Sequence, residues 1–552
     1  MVSFAKVFRN YSARDRFFTS LLIVIIGITI LTTGIAKIIY NYKLSDKDSV
    51  YTEGVAGELA MINPLFTDFN EINRDLSSII FSGLTKYNPN TKTFEPDLAT
   101  FEVNKDSTIF TFTLKEDLEW HDGTPVTASD ILYTYKNIIQ NEKFTNSGLK
   151  QALQNVEITS SKLNEVQFKL KSPNAFFIGI TSTGILPKHI YSKASITEIG
   201  LEINKKDYSK IIGSGPYKFD KIEKLDENIT AIILKSYKKY HFGKPKIKTI
   251  RFLIFKDTEN LLKNQEKVDS ISGLSYSNKS SLDQKKFKLS NYILSQYNAL
   301  FLNFDSIYLK DKSLREALLQ ATDKATLSEI LPNKKIIGRP YFQFETINEI
   351  GKANFDDIKK NLVNSGYKYN NEEILENENN EPIILKIIAP NYSNNVEKAL
   401  ETKKILDHIK KSYGKLGIIV KIQLYSITQF AEKLQEKNYD IALFGHSLGN
   451  NFDSYAFWHS SQAGTGGSNL SNIKNIALDS QLERVRSVSN IDKRNEILLN
   501  INKILKTDVA AIFLYTDKYI ISFTDKVKNR TILDNYSYPS DRLFNIDKWE
   551  LK

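Results

Sequence analysis

Trp120-His121-Asp122-Gly123-Thr124-Pro125-Val126-Thr127-Ala128-Ser129-Asp130 is the stretch on which the fold turns. It is reached from Pro96-Asp97-Leu98-Ala99 through Phe110-Thr111-Phe112-Thr113-Leu114. The phenylalanines and leucine alternate with threonine, the period-2 pattern of a half-buried strand. Asp122-Gly123 supplies a turn whose glycine can take φ > 0 without a Cβ clash. Thr127 and Asp130 have capping-box spacing, with Asp in place of the usual Glu or Gln. Ile131, Leu132 and Tyr135 then open an amphipathic helix. Trp120 and His121 read as parts of a structural turn, so the stretch speaks for the fold and not for a site.

The order strand, turn, capped helix resembles solute-binding protein family 5, the group that includes dipeptide- and oligopeptide-binding proteins of ABC importers. The resemblance runs over nearly everything after Val50. Met61-Ile62-Asn63-Pro64 stands where the family has Leu-Asp-Pro, with Asn63 for Asp, and Phe81-Ser82-Gly83-Leu84 matches its Glu-Gly-Leu turn loosely. Gly213-Ser214-Gly215-Pro216-Tyr217 is close to its Gly-x-Gly-Pro-Tyr; no helix signal follows at once, which argues against a phosphate cradle. Phe301-Leu302-Asn303-Phe304 and Ser313 to Lys324 resemble a further hallmark. In the latter, Leu314, Ala317, Leu318 and Ala321 form one helical face, and Arg315 reads as an ion-pair partner.

The chain has 552 residues, 41% of them hydrophobic and 11% aromatic, which suits a folded protein of three or four domain-sized units. It contains no cysteine, which excludes disulfides, thiolate metal sites, a cysteine nucleophile and a lipid-modified cysteine tether. The formal net charge of +11 comes mostly from dispersed lysine, the pattern of a solvated surface and not of a nucleic-acid interface. Six histidines, with no HExxH, Gly-x-Ser-x-Gly or Walker lysine motif, give a hydrolase little to work with, and no cofactor is expected. No fixed-period repeat is visible, which argues against a solenoid.

Between Arg16 and Lys37 lie 20 residues without a charge. At ~1.5 Å per residue they span about 30 Å, the hydrocarbon thickness of a bilayer. Residues 1–16 are expected to be cytoplasmic, 17–40 a transmembrane signal anchor and 41–50 a tether. Gly34 and Ala36 also offer a small-residue cleavage site, and a removed signal peptide is the competing reading.

Further along, Phe355 to Gly366 reads as a helix closed by a C′ glycine, and Asn370 to Glu381 as a surface turn. Ile383–Ile388, Ile418–Ile422 and Tyr439–Phe444 read as strands. Helices alternate with them: Val396, Leu400, Lys403, Leu406 and Ile409 mark one, its lysine at the margin of the stripe, and Thr428 to Gln435 another. The fold class expected is α/β, a two-lobed periplasmic-binding-protein-like fold of the type II large cluster with an extra domain, preceded by one N-terminal transmembrane helix. The resemblance implies a first lobe over 51–295, with an extra subdomain at about 84–200, a second lobe over 296–506, and a return to the first over 507–552. The crossings near Gln296 and Thr507 would form the hinge.

Open α/β sheets bind ligands beyond the carboxyl ends of their strands. The segment after Phe444 is therefore the candidate, and it combines glycines, aromatics and polar groups as a pocket requires. The resemblance puts an amine-binding Asp of the peptide-binding relatives at Gly449 or Asn450, and Asn450 lacks its charge. Asp453 could substitute if the loop shifts. His446, Asn450, Asp453 and Tyr455 are the candidates on this side, with Asp68, Phe69 and Asn70 on the other wall, where backbone contacts to an extended peptide are expected. The implied function is that of a membrane-anchored extracytoplasmic receptor. It would act as a monomer, closing on a peptide or similar small solute and delivering it to ABC permease subunits. A metal chelate or haem is the second ligand reading, drawing on His446 and His459, and a cell-surface hydrolase the third.

Overall fold

The computed structural model describes residues 50–552 apart from 68–69, 202–206, 342–350, 394–395 and 451, together with Ser12, Thr29 and Thr32. The expected span at 17–40 and its tether thus lie outside the described residues. Among the described residues no helix is long and apolar enough to cross a membrane.

Two α/β lobes share one long strand. In the first lobe, Val50–Ala56 pairs in parallel with Thr249–Phe255 and Ser270–Ser275, and Ile229–Ser236 and Tyr217–Lys224 extend the sheet antiparallel. In the second, Ile419–Tyr425, Ile384–Pro390 and Ile441–Ser447 run parallel side by side, and Gln296–Leu302 pairs antiparallel to the last. These strands are rich in Ile, Leu and Val because helices cover the sheet; Leu385, Ile387, Ile441 and Leu300 are fully buried in that core.

The shared strand is Ala511–Phe523. Its first part pairs with Gln296–Leu302, Ala511 facing Phe301 and Tyr515 facing Asn298. Its last part pairs with Lys288–Leu294, Lys518 facing Ile293 and Phe523 facing Lys288. The chain therefore passes between lobes at Ser295, close to the expected Gln296, and again at Thr516–Asp517. The second crossing expected near Thr507 is corrected: Thr507 lies in the helix Ile491–Asp508, which still packs on the second lobe.

The deciding stretch folds as read. Ile109–Leu114 is the second strand of a four-stranded antiparallel sheet in the extra subdomain. Asp130 Oδ2 accepts from Thr127 N at 2.9 Å and from Thr127 Oγ1 at 3.0 Å, and its other oxygen accepts from Lys188 N at 2.9 Å. The helix Ala128–Leu132 continues into a π-helical turn, Tyr133–Ile139.

Two hallmarks read separately in the sequence are one contact. His121 Nδ1 accepts from Gly213 N at 3.2 Å, while Nε2 lies 3.0 Å from Gly215 O. Burial pushes the imidazole down to about 4, and the neutral Nε2–H tautomer satisfies both bonds. The glycines also press on the end of the helix Glu71–Ile80: a Cβ at Gly213 would lie 1.9 Å from Ile80 O, and one at Gly215 2.6 Å from Ile79 O. Close backbone approach explains both glycines.

Two further expectations are corrected. Arg315 is not held by a carboxylate: its guanidinium donates to the carbonyls of Asp508, Leu309 and Lys310 at 2.8–3.0 Å, with Phe304 4.0 Å away beneath it. In the helix Val396–Gly414 the buried stripe is Ile405, Leu406, Ile409 and Tyr413, whereas Leu400 is 56% exposed.

Candidate functional site

The lobes face each other across a cleft and touch at its rims. Ser107 Oγ of the extra subdomain is 3.0 Å from Ser489 Oγ of the second lobe. On the opposite side Ser275 and Ser277 donate to Glu397 Oε1 at 3.0 and 3.2 Å. Between them lie two chambers of about 330 and 320 Å³, and Asn450 lines both.

Asn450 follows the strand Ile441–Ser447 and its turn, as the strand-end rule requires. Its Oδ1 is fully buried and accepts no hydrogen bond among the described residues. A buried amide oxygen left without a donor costs on the order of 1–3 kcal/mol. Gly449 beside it has φ +58, a left-handed conformation that brings the turn against Tyr538 of the first lobe.

The other expected residues are placed differently. His446 is still in the strand, where Nδ1 lies 3.1 Å from Tyr297 Oη and the ring stacks on Phe457 at 3.9 Å. Burial, with Lys437 nearby, pushes it down to about 3, which keeps it neutral. The sequence put the loop three residues early because Gly445 reads as its start; in the sheet Gly445 faces Asn298 in register. Asp453 is engaged by Arg486, Nη2 to Oδ2 2.8 Å, and accepts from Tyr455 N at 3.2 Å. Tyr455 stacks on His459 at 4.1 Å and under Arg486 at 3.9 Å. Neither His446 nor Asp453, nor Tyr455, lines either chamber. Asn70 caps the helix Glu71–Ile80, accepting from Asn73 N at 3.1 Å, and Asp68 and Phe69 lie outside the described residues. His446 is taken up by Tyr297 and Phe457 and His459 by Tyr455 and Ser461, and among the described residues no group of three or more His, Cys, Asp or Glu converges to hold a metal ion.

The first chamber is walled by the helix Glu71–Ile80, the loop around Ser182 and the segment Tyr538–Asp547. Sequence reasoning gave that last segment no role. Asp541 lines the chamber, accepts from Tyr538 N at 2.9 Å and Ser537 N at 3.0 Å, and is pushed up to about 7 by burial, which those N–H donors only partly offset. Next to it Arg542 is fully buried between two carboxylates, Nη1 to Asp75 Oδ1 2.8 Å and Nη2 to Glu53 Oε1 3.1 Å. Burial alone would raise Glu53; Arg542 and Arg530 outweigh it and hold the carboxyl below the usual range. This triad joins the first strand, the helix Glu71–Ile80 and the returning C-terminal segment beneath the chamber floor.

Comparison with known proteins follows the same outline. Residues 93–469 match the family described as bacterial extracellular solute-binding proteins, family 5 Middle. The oligopeptide-binding protein AppA of Bacillus subtilis is 25% identical over 521 residues, covering 90% of this chain and 91% of AppA. Its solved structure, in complex with a nonapeptide, superposes with a TM-score of 0.67 at 22% identity over 92% of this chain and 99% of that one. NikZ from Campylobacter jejuni, solved in complex with Ni(L-His), gives 0.67 at 23% identity, covering 91% and 99%. HbpA2 from Haemophilus parasuis gives 0.74 at 16%, covering 91% and 100%.

Proposed function

This chain belongs to the bacterial extracellular solute-binding proteins of family 5, and we propose that it captures peptides between its two lobes and delivers them to the permease subunits of an ABC importer. The N-terminal span would hold it at the outer face of the membrane as a single-pass anchor. The reading rests on one observation above others: the unsatisfied Oδ1 of Asn450 sits where two chambers meet between the lobes. A peptide passing that point supplies N–H donors, and the buried oxygen gains the partner it lacks. The likeness to AppA, which binds oligopeptides, supports the choice of ligand. Capture of this kind makes and breaks no bond; it needs only contacts available with the lobes together.

Calorimetry of the full-length chain in nanodiscs against a peptide library, with mass spectrometry of whatever co-purifies, tests the proposal. Micromolar or tighter binding of some peptides is expected. Failure of every peptide, together with nickel or a metal chelate in the purified protein, would turn the assignment to the ligand class of NikZ.

A further inference from the structure

The two chambers differ in chemistry. Acidic residues line the first: Asp97, Asp541 and Asp547, alongside Arg74 and Lys86. Among the described residues the second has no acidic lining residue at all, and two cations, Lys92 and Arg494. Its walls are apolar, formed by Phe94, Phe101, Phe110 and Phe176 from the first lobe and Phe452 and Leu498 from the second.

Arg494 stands in the first turns of the helix Ile491–Asp508, and its guanidinium lies 5.1 Å from the centre of the Phe176 ring. Among the described residues no carboxylate pairs with it and its side chain makes no hydrogen bond. Burial pulls its pKa down with no charged neighbour to oppose the effect. Arg494 is half-buried at the edge of this chamber, and its planar fork matches the two oxygens of a carboxylate. Phe452 adds a second sign of a built pocket. It holds φ +57, a left-handed conformation that costs a bulky residue about 1–2 kcal/mol, and strain of this kind gathers at ligand sites.

We infer that the second chamber is a pocket for an apolar side chain next to a free carboxylate, and that Arg494 receives the carboxylate. The inference rests on the peptide reading above and narrows it to peptides ending in a large apolar residue with an unblocked C-terminus. The volume of about 320 Å³ is at the low end of small-molecule pockets, enough for one such residue and not for a long segment. Asn450, which opens into both chambers, would meet the backbone just before it.

The test compares matched peptides, each as free acid and as C-terminal amide, by calorimetry on the full-length wild type and on Arg494→Gln and Arg494→Lys. For a peptide ending in Phe or Leu, amidation should weaken binding to the wild type by about 10- to 100-fold, the range of a charge-assisted hydrogen bond. In Arg494→Gln the acid and amide should bind within about twofold of each other; Arg494→Lys should keep part of the difference. Equal binding of acid and amide by the wild type would overturn the inference and leave the peptide reading standing. So would an unchanged acid–amide gap in folded Arg494→Gln. If the glutamine variant does not fold, the wild-type and lysine arms decide by the same criteria. No binding of any peptide by the wild type would overturn both.

Discussion

The hydroxyl of Tyr538, on the first lobe, lies so close to Gly449, on the second, that a Cβ at Gly449 would sit 2.7 Å from it. Arg74 holds the tyrosine ring in place from 4.7 Å. The contact exists only with the lobes together, so it couples a glycine beside Asn450 to closure. Gly449→Ala should lower overall stability by about 1–2 kcal/mol through its positive φ. It should also weaken ligand binding about tenfold for each ~1.4 kcal/mol that the clash adds to the closed state. Adding Tyr538→Phe removes the crowding oxygen and should restore part of the affinity but none of the stability. Calorimetry and urea unfolding on the two variants separate these effects; loss of affinity that the second substitution leaves unchanged would contradict the account.

The buried carboxyl of Asp541 should make stability fall with rising pH. Its folded-state pKa of about 7 lies above the ordinary 3.8, so the group favours the fold in its protonated form. That contribution is complete below about pH 4 and is lost as the pH rises through about 7, each pKa unit being worth about 1.4 kcal/mol. Asp541→Asn carries no such titration. The melting temperature of the variant minus that of the wild type should rise from pH 5 to pH 8, and parallel curves would show that Asp541 is ionised throughout.

Removing Arg542 should be among the most damaging single changes in the first lobe. Arg542→Met leaves Glu53 and Asp75 buried without their counter-charge, a loss of about 3–5 kcal/mol. Combining it with Glu53→Gln and Asp75→Asn should recover much of that loss, because the uncompensated charges are gone. Urea unfolding measures both.

Gly213→Ala tests the contact between the two sequence hallmarks. With its Cβ 1.9 Å from the Ile80 carbonyl, the helix end must move. A cost at or above about 3 kcal/mol is expected, the upper part of the range for overpacking. A neutral result would mean that the helix end and the glycine turn are not in contact.

Local chemistry was legible in the sequence, and tertiary convergence was not. The Thr127–Asp130 capping box and the helix Phe355–Asn364 with Gly366 after it are set by neighbours within four residues, and both stand where their spacing put them. The helix Ile427–Glu436, opened by a box of Ser426 with Gln429, lies in the region read as helical from Thr428 to Gln435. The crossing at Thr516–Asp517 was misplaced because nothing local distinguishes the half of Ala511–Phe523 that serves one sheet from the half that serves the other. Leu400 stands five and six residues before Ile405 and Leu406, off their face of the helix; the inward face continues instead to Glu401, which meets Tyr515 and Lys334 of the sheet. His446 has a loop-like neighbour in Gly445, and only its pairing opposite Tyr297 puts it in a strand. The strand-end rule, being topological, pointed to the segment after Phe444, and Asn450 within it lines both chambers. Arg494 and Asp541 belong to segments with no motif of their own; Arg494 reaches the cleft through packing of the second lobe against the extra subdomain, and Asp541 through the return of the chain to the first lobe.

The central claim is that the lobes close on a peptide. With no cysteine in the chain, Asp106→Cys and Lys493→Cys, both exposed and flanking the Ser107–Ser489 contact, can carry two spin labels without background. Pulsed electron–electron distance measurement on that pair, with and without a peptide shown to bind, is the most direct test. A broad or long distance that collapses to a single short one on binding is the predicted result. An unchanged distribution at saturating peptide would contradict capture by closure.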